Sequence, residues 1–292
     1  MTKQNKRAKV SFECFPPRTP VLEKNLWKTI TKLAPLNPDF FSVTYGAGGS
    51  TRTRTHKIAK QIINDIGQDT AAHLTCVNAT REELNEIALD YWESGIRHIV
   101  ALRGDPPAGQ SKYVGHPKGY QYAVDLVRGL KRVKNFKISV AAYPETHPDA
   151  PDPTFDLENL KQKIDEGANQ AITQFFFDNT TYLRFRDRAV AAGILVPIIP
   201  GIMPIGNFKK LSEFARLCGA TLPPTLIKRF SVLNVDQTAK TKEAIMFASE
   251  QCLHLQDHGV NEFHFYTLNR SDLTRAICRN IGVCNPLNGA TT

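Results

Sequence analysis

Short apolar runs rich in β-branched residues recur along the chain. Between them lie longer stretches where apolar residues return every three or four positions. The first pattern predicts buried strands and the second amphipathic helices. The strand-like runs open with Val10-Ser-Phe-Glu-Cys-Phe, closed by Pro16-Pro17, and Phe40-Phe-Ser-Val-Thr-Tyr, closed by Gly46-Ala-Gly-Gly. Ala71-Ala-His-Leu-Thr-Cys-Val, His98-Ile-Val-Ala-Leu and Lys137-Ile-Ser-Val-Ala-Ala follow. The sixth is Gln170-Ala-Ile-Thr-Gln-Phe-Phe-Phe, the seventh Leu195-Val-Pro-Ile-Ile-Pro-Gly-Ile, and the eighth Glu262-Phe-His-Phe-Tyr-Thr-Leu.

The intervening helices carry their own punctuation. Leu84, Ile87, Ala88 and Tyr91 share one helical face, and Thr80 with Glu83 forms a capping box. A second helix starts near Asp156. Gly95, Gly167 and Gly193 stand where helix C-caps belong. The interval between the seventh and eighth runs, about 60 residues, predicts two or three helices, including 208–218 and 238–256; most other units repeat every 25–35 residues or so. Residues 151–153 and 222–224 read as loops.

Strands alternating with helices predict an α/β fold with a parallel sheet. No GxGxxG follows any strand, and the runs number eight. The expectation is a (β/α)8 TIM barrel with extra helices between strands 7 and 8, rather than an open doubly wound sheet. Residues 1–292 read as one barrel domain, with a short basic N-terminal tail over about 1–9.

Composition narrows the classes. Apolar residues make up 41% of the chain, enough for a full core. No apolar run is long enough to span a membrane, and the basic N-terminus lacks the apolar region of a secretory signal. The cysteines, none in CxxC spacing, read as free thiols of a cytoplasmic protein. Cys278 and Cys284 give only a faint metal or disulfide hint. The net charge of +9 is spread along the chain without the interleaved aromatics of a nucleic-acid binder. An anionic cofactor or substrate accounts for it.

Candidate chemistry clusters where strands end, which in a barrel is the rim that builds active sites. Arg103-Gly104-Asp105 follows the fourth strand, and Tyr143-Pro-Glu-Thr-His147-Pro the fifth. Glu13 lies inside the apolar first strand, where an unpaired carboxylate is costly. As the neutral acid it would suit proton donation; as a structural group it would pair, for example with Arg18. Asp105 either serves a ligand or caps the turn before Pro106-Pro107. His73 is a ligand or a satisfied core group. His254 and His258 lack the glutamate of HExxH and read as a solvated helix end. Thr44 and Tyr45 precede a glycine-rich turn. Gln174 could read a heterocycle edge, while Phe175-Phe176-Phe177 read as core. No Walker loop, GxSxG elbow or paired Cys/His motif is present, which leaves the chemistry to a bound organic cofactor.

Several of these segments, in order, resemble the 5,10-methylenetetrahydrofolate reductase family of the bacterial, single-domain type. They are Val10-Ser-Phe-Glu-Cys-Phe-Pro-Pro-Arg, Phe41-Ser-Val-Thr-Tyr-Gly-Ala-Gly-Gly-Ser, His73-Leu-Thr-Cys and Ile99-Val-Ala-Leu-Arg-Gly-Asp. Ala142-Tyr-Pro-Glu-Thr-His-Pro, Ile172-Thr-Gln-Phe-Phe-Phe-Asp, Ile199-Pro-Gly-Ile-Met-Pro and Phe263-His-Phe-Tyr-Thr-Leu-Asn-Arg continue the match to about residue 284.

The resemblance implies a barrel that binds FAD non-covalently. NADH or NADPH, with NADH favoured, reduces the flavin and leaves, and 5,10-methylenetetrahydrofolate is then reduced to 5-methyltetrahydrofolate for methionine synthesis. It implies Glu13 as general acid and Asp105 as the carboxylate near flavin and folate. Gln174, Phe214 and Arg270 are implied folate contacts, and Thr44 a residue near the nicotinamide. The implied FAD contacts are Tyr45, Ala47, His73, Arg103, Gly104, Asp105, Tyr122, Ala123, Tyr143, His147, Asp156, Asn159 and Lys163. Gln162 replaces a basic FAD contact of a relative, which implies slightly weaker FAD retention. Cys14 stands where an aromatic is common. The resemblance further implies a homo-oligomer, no metal, and no nucleic-acid or membrane partner. The chain stops short of the eukaryotic regulatory domain, so inhibition by S-adenosylmethionine is not expected. A proline-oxidising FAD barrel and an inactive flavin- or folate-binding module are the alternatives.

Overall fold

The computed structural model describes residues 7–45, 52–106, 109, 112–233 and 236–283. Its strand segments are β1 (Lys9–Cys14), β2 (Phe40–Val43), β3 (Thr70–Thr75), β4 (His98–Leu102), β5 (Lys137–Ala142), β6 (Gln170–Thr173), β7 (Ile198–Ile199), β8 (Gly201–Ile202) and β9 (Glu262–Tyr266). All pair in parallel, in the order β7-β6-β5-β4-β3-β2-β1-β9-β8. The two end segments, β7 and β8, are consecutive in the chain on either side of Pro200. One predicted strand therefore pairs with β6 through its first half and with β9 through its second, and the barrel closes.

Pro200 has no N–H to give to a ladder, which breaks the strand in two. Its carbonyl still accepts the His264 N–H at 3.0 Å. The sixth strand also ends earlier than its apolar pattern suggests. Phe175, Phe177, Met203 and Leu211 instead form a separate buried cluster. The predicted tail is shorter than expected at its inner end. Ala8 is buried, and the Arg7 guanidinium donates to the Leu36 carbonyl at 2.8 Å.

The helices are α1 (Pro20–Leu33), α2 (Arg52–Gln61), α3 (Arg81–Glu93), α4 (Ala123–Val133), α5 (Pro153–Asp165) and α6 (Asn179–Ala191). Then come α7 (Phe208–Cys218), α8 (Pro224–Ser231), α9 (Gln237–Asp257) and α10 (Asp272–Asn280). The Thr80–Glu83 capping box forms as predicted. Three helices, α7 to α9, fill the long interval before β9. The prolines at 153 and 224 begin helices rather than loops, because their missing N–H is no loss in a first turn.

Alternation along each strand sorts residues between two cores. Val10, Phe12 and Cys14 pack outward with helix residues such as Leu26 and Ile30. A small inner cluster of Phe40, Ala71, Val100 and Ile172 fills part of the lumen. The lumen also holds polar groups. His98 Nε2 and Ser139 Oγ are 2.7 Å apart, and Gln170 Nε2 donates to the same hydroxyl at 2.9 Å. Among the described residues no helix is long and apolar enough to cross a membrane.

Candidate active site

Parallel strands bring their C-terminal ends to one rim, and Glu13 stands there, one residue before the end of β1. Its Oε2 lies 3.5 Å from His73 Nε2 on β3 and 3.7 Å from His264 Nε2 on β9. The Glu13 side chain is 22% exposed, against 8% and 1% for the imidazoles, so the carboxyl sits at the boundary of lumen and mouth. Pairing is with the two histidines and not with Arg18. The Glu13 backbone is tied down as well, since Thr267 Oγ1 donates to its carbonyl at 2.6 Å.

His73 is buried, and its Nε2 has no hydrogen-bond partner among the described residues, so it is not a satisfied core group. Burial pushes its pKa down to about 4, although the Glu13 charge pulls the other way. The unfolded imidazole titrates near 6.5. Between those values the unfolded chain binds more protons than the folded one, so stability falls as pH drops from about 6.5 to 4. His73→Gln is expected to flatten that slope, by at most about 1.4 kcal/mol per pH unit. Urea midpoints measured across the window check this; an unchanged slope would contradict a neutral, buried His73.

The next sector of rim is built from β4 and β5. Arg103 Nη1 pairs with Asp149 at 2.9 Å, and its guanidinium lies 4.8 Å from the Tyr113 ring centroid. Gly104 has φ of +88°, and a Cβ there would come within 3.0 Å of both Thr75 Cβ and Val77 Cγ1. Asp105 is exposed, and no hydrogen bond joins its carboxylate to another described residue; Pro107, in the turn it was expected to cap, lies outside the described residues. Its charge nonetheless reaches across the mouth. Burial first, then Asp105 and Asp156, push the Tyr143 phenol up. Burial pushes the Cys218 thiol up to about 11, with Asp105 adding to it. Tyr266, beside Glu13, is likewise pushed up by burial and then by Glu13 and Tyr143. Asp105 thus acts on Tyr143 and Cys218, and Glu13 on Tyr266, which Tyr143 and Cys218 also perturb.

The loop after β5 is held by its own polar groups. The Tyr143 and His147 rings meet edge to face at 4.6 Å. The His147 N–H donates to Asp156 Oδ2 at 2.9 Å, and the Asp149 N–H to His147 Nδ1 at 2.9 Å. Asp156, Asn159 and Lys163 recur at helical spacing along α5, on one face. Lys163 Nζ donates to the Ala141 carbonyl at 2.7 Å, which leaves two of its three protons free. Burial lowers its pKa to about 8 against the pull of Asp156; an anion bound nearby would favour the charged form. Gln162 is exposed on the same helix.

Tyr122 N-caps α4, 58% exposed, with its ring 6.1 Å from Tyr113, and Ala123 opens the helix. Thr44 closes the end of β2, its N–H bonded to the Cys14 carbonyl at 2.9 Å, and Tyr45 packs against the main core. Ala47 and Cys284 lie outside the described residues. Cys278 is a buried free thiol.

On the other side of the mouth, Gln174 and Phe175 line a small pocket with Tyr143 and Cys218. Phe214, 45% exposed on α7, stacks on Phe175 with centroids 5.4 Å apart. Arg270 reaches the space left by Gly206, where a Cβ would lie 2.9 Å from its Nη1. A wider groove along α9 and α10, about 510 Å³ and lined by Met246 and Leu253, holds none of these groups. His258 Nδ1 donates to the His254 carbonyl at 2.8 Å, as a helix end would. Among the described residues no three His, Cys, Asp or Glu side chains could share a metal ion.

Some supporting residues were not apparent from the sequence. Leu268 and Asn269 both adopt left-handed backbone, with φ of 50° and 54°. Asn269 then bonds both polar groups of Phe15, accepting from its N–H at 3.0 Å and donating to its carbonyl at 2.9 Å. This joins the loop after β9 to the loop after β1. Asparagine is unusually tolerant of left-handed backbone, which is the one local signal that marked it. Tyr113, Asp149 and Thr75, whose buried Oγ1 has no partner among the described residues, carry no motif.

Comparison with known proteins finds relatives along nearly the whole chain. Residues 1–282 match the family described as methylenetetrahydrofolate reductase. The 5,10-methylenetetrahydrofolate reductase of Pectobacterium carotovorum subsp. carotovorum is 53% identical over 277 residues, covering 95% of this chain and 91% of that protein. The Escherichia coli (strain K12) protein of the same name is 52% identical over 274 residues, covering 94% and 90%. Among solved structures, a Clostridium thermocellum protein described as binding two copies of 5-methyl-5,6,7,8-tetrahydrofolic acid superposes with a TM-score of 0.62. It covers 95% of each chain at 15% identity, a likeness of fold.

Proposed function

The chain belongs to the methylenetetrahydrofolate reductase family, and we propose that it reduces 5,10-methylenetetrahydrofolate to 5-methyltetrahydrofolate, with NADH, or else NADPH, as reductant and non-covalent FAD as carrier in a ping-pong cycle. In this reading the chain is one catalytic barrel, works in the cytoplasm as a homo-oligomer, and supplies methyl groups for methionine synthesis. The observation that carries it is Glu13: a carboxyl at the barrel mouth, held between two imidazoles and sharing the rim with Asp105.

The residues present suit FAD. Arg103 and Lys163 offer positive charge to a pyrophosphate. Tyr143, His147 and Tyr122 offer aromatic faces, and His73 Nε2 and Thr75 Oγ1 are buried polar atoms with no hydrogen-bond partner among the described residues. Tyr45, Ala47, Gly104, Asp105, Ala123, Asp156 and Asn159 complete the proposed cofactor contacts. Bound FAD would supply two-electron chemistry, taking a hydride from the nicotinamide and giving one to the folate.

The protein's own share is acid–base and electrostatic. Glu13 would hold a proton at the mouth and deliver it to the folate, opening its five-membered ring toward an iminium. The exposed Asp105 carboxylate would stabilise that cation through space. Gln174 and Arg270 would bind folate polar groups, Phe214 would stack on its aromatic portion, and Thr44 would border the nicotinamide.

Anaerobic spectroscopy tests the reading. The purified protein, with FAD added if needed, is expected to be yellow and to bleach with NADH. Methylenetetrahydrofolate should then restore the colour. A protein that does not bind added FAD, or that is bleached by proline instead, would overturn it.

A further inference from the structure

One buried histidine next to Glu13 has no part in the scheme above. His264 lies on β9 and is 1% exposed. Its Nδ1 is 2.7 Å from Ser11 Oγ, and its Nε2 faces Glu13 Oε2 at 3.7 Å. The ring plane is fixed by neighbours, with Phe40 stacked on it at 5.8 Å and Tyr266 edge-on at 5.4 Å.

The hydrogen positions follow from Ser11. Its hydroxyl is buried and has one partner among the described residues, His264 Nδ1. A buried hydroxyl proton left without an acceptor is costly, so the hydroxyl donates to Nδ1. A neutral imidazole with Nδ1 accepting carries its proton on Nε2. That nitrogen is the one 3.7 Å from Glu13 Oε2. His73 Nε2 approaches the same oxygen at 3.5 Å, whereas Glu13 Oε1 has no partner among the described residues.

We propose that His264, locked by Ser11 as the Nε2–H tautomer, is a positioning residue that engages Glu13 Oε2 and so leaves the transferable proton on Oε1, at the mouth of the barrel. The proposal rests on Glu13 acting as the acid. Before transfer, Oε2 accepts and Oε1 bears the proton; the O–H bond at Oε1 breaks as the proton passes to the folate. Afterwards Nε2–H stabilises the carboxylate. The other groups facing Glu13 are His73 from β3, Tyr266 from β9 and the Ser42 hydroxyl from β2, with the Cys14 thiol next in the chain on the opposite face. Burial holds His73, Tyr266 and Cys14 toward their neutral forms, and His264 is the imidazole whose tautomer Ser11 sets.

Two measurements test it. In the protein labelled with ¹⁵N-histidine, the resonances lost in His264→Gln should show an unprotonated Nδ1 and a protonated Nε2. A protonated Nδ1 would overturn the proposal. In anaerobic stopped-flow, His264→Leu should slow the folate half-reaction about ten- to hundred-fold, the scale of a misplaced catalytic group, with NADH reduction unchanged. The alkaline limb of its pH–rate profile should move to higher pH, because the carboxylate has lost a donor. His264→Gln, whose amide N–H can stand in for Nε2–H, should recover most of the rate, and Ser11→Ala should lose part of it. If His264→Leu does not fold, the Gln and Ala variants and the tautomer decide. A wild-type folate rate with no change in these variants sinks this inference alone. A wild-type protein without that half-reaction sinks the functional reading instead, and the tautomer is still read independently.

Discussion

Glu13→Gln is expected to leave bleaching by NADH close to wild type while slowing the folate half-reaction by about 10²–10⁴-fold, the usual worth of a general acid. The amide matches the carboxyl in size, so the packing between His73 and His264 is kept. What it lacks is a proton that can be given up at neutral pH. The reduction step with nicotinamide needs no such proton. Rapid mixing, followed at the flavin absorbance for each half-reaction separately, makes the distinction. Equal loss in both would point to damaged cofactor binding and remove Glu13 from its acid role.

Gly104→Ala is the second large effect. The φ of +88° strains any residue with a Cβ by about 1–2 kcal/mol. The added carbon would also sit 3.0 Å from Thr75 Cβ and Val77 Cγ1, two side chains close to the backbone with little room to yield. Overpacking of this kind adds about 1–3 kcal/mol. The sum, roughly 2–5 kcal/mol, would lower the melting temperature by several degrees for a chain of this size. Because Arg103 and Asp105 flank the position, the same change should weaken FAD binding and slow the folate half-reaction. Calorimetry and flavin titration of the variant measure both. Unchanged stability would mean that the end of β4 relaxes freely, which its packing argues against.

The glycine also shows how far sequence could carry the account. Gly104 was named from the sequence as a cofactor contact implied by the family resemblance. The structure gives a nearer cause: the ends of β3 and β4 pack so tightly that no side chain fits. Glu13 was legible because a carboxylate in an apolar strand demands an explanation on its own. His264 was not, since a histidine between phenylalanines reads as core. Its meaning depends on barrel closure, which sets β9 beside β1 and places residue 264 next to residue 11. The barrel itself was legible from alternating strand and helix patterns. The break at Pro200 and the early end of β6 were not, because continuous apolar runs do not reveal which residues leave the sheet for a second cluster. Asn269 and Phe15, 254 residues apart, could be joined only by the fold. Phe214 and Arg270 carried no local signal and were named through family resemblance; the structure sets Phe214 against Phe175, next to Gln174.

The central claim is that Glu13 and Asp105 act on one folate bound at the mouth of the barrel. A crystal structure of the Glu13→Gln protein with FAD and methylenetetrahydrofolate, trapped by its slow turnover, addresses it most directly. The account predicts the pterin ring within hydrogen-bond reach of Gln174, the variant amide beside the bridging nitrogen, and Asp105 near the methylene carbon. A folate seated away from residue 13, or with Asp105 turned to solvent on the far side of the flavin, would contradict it.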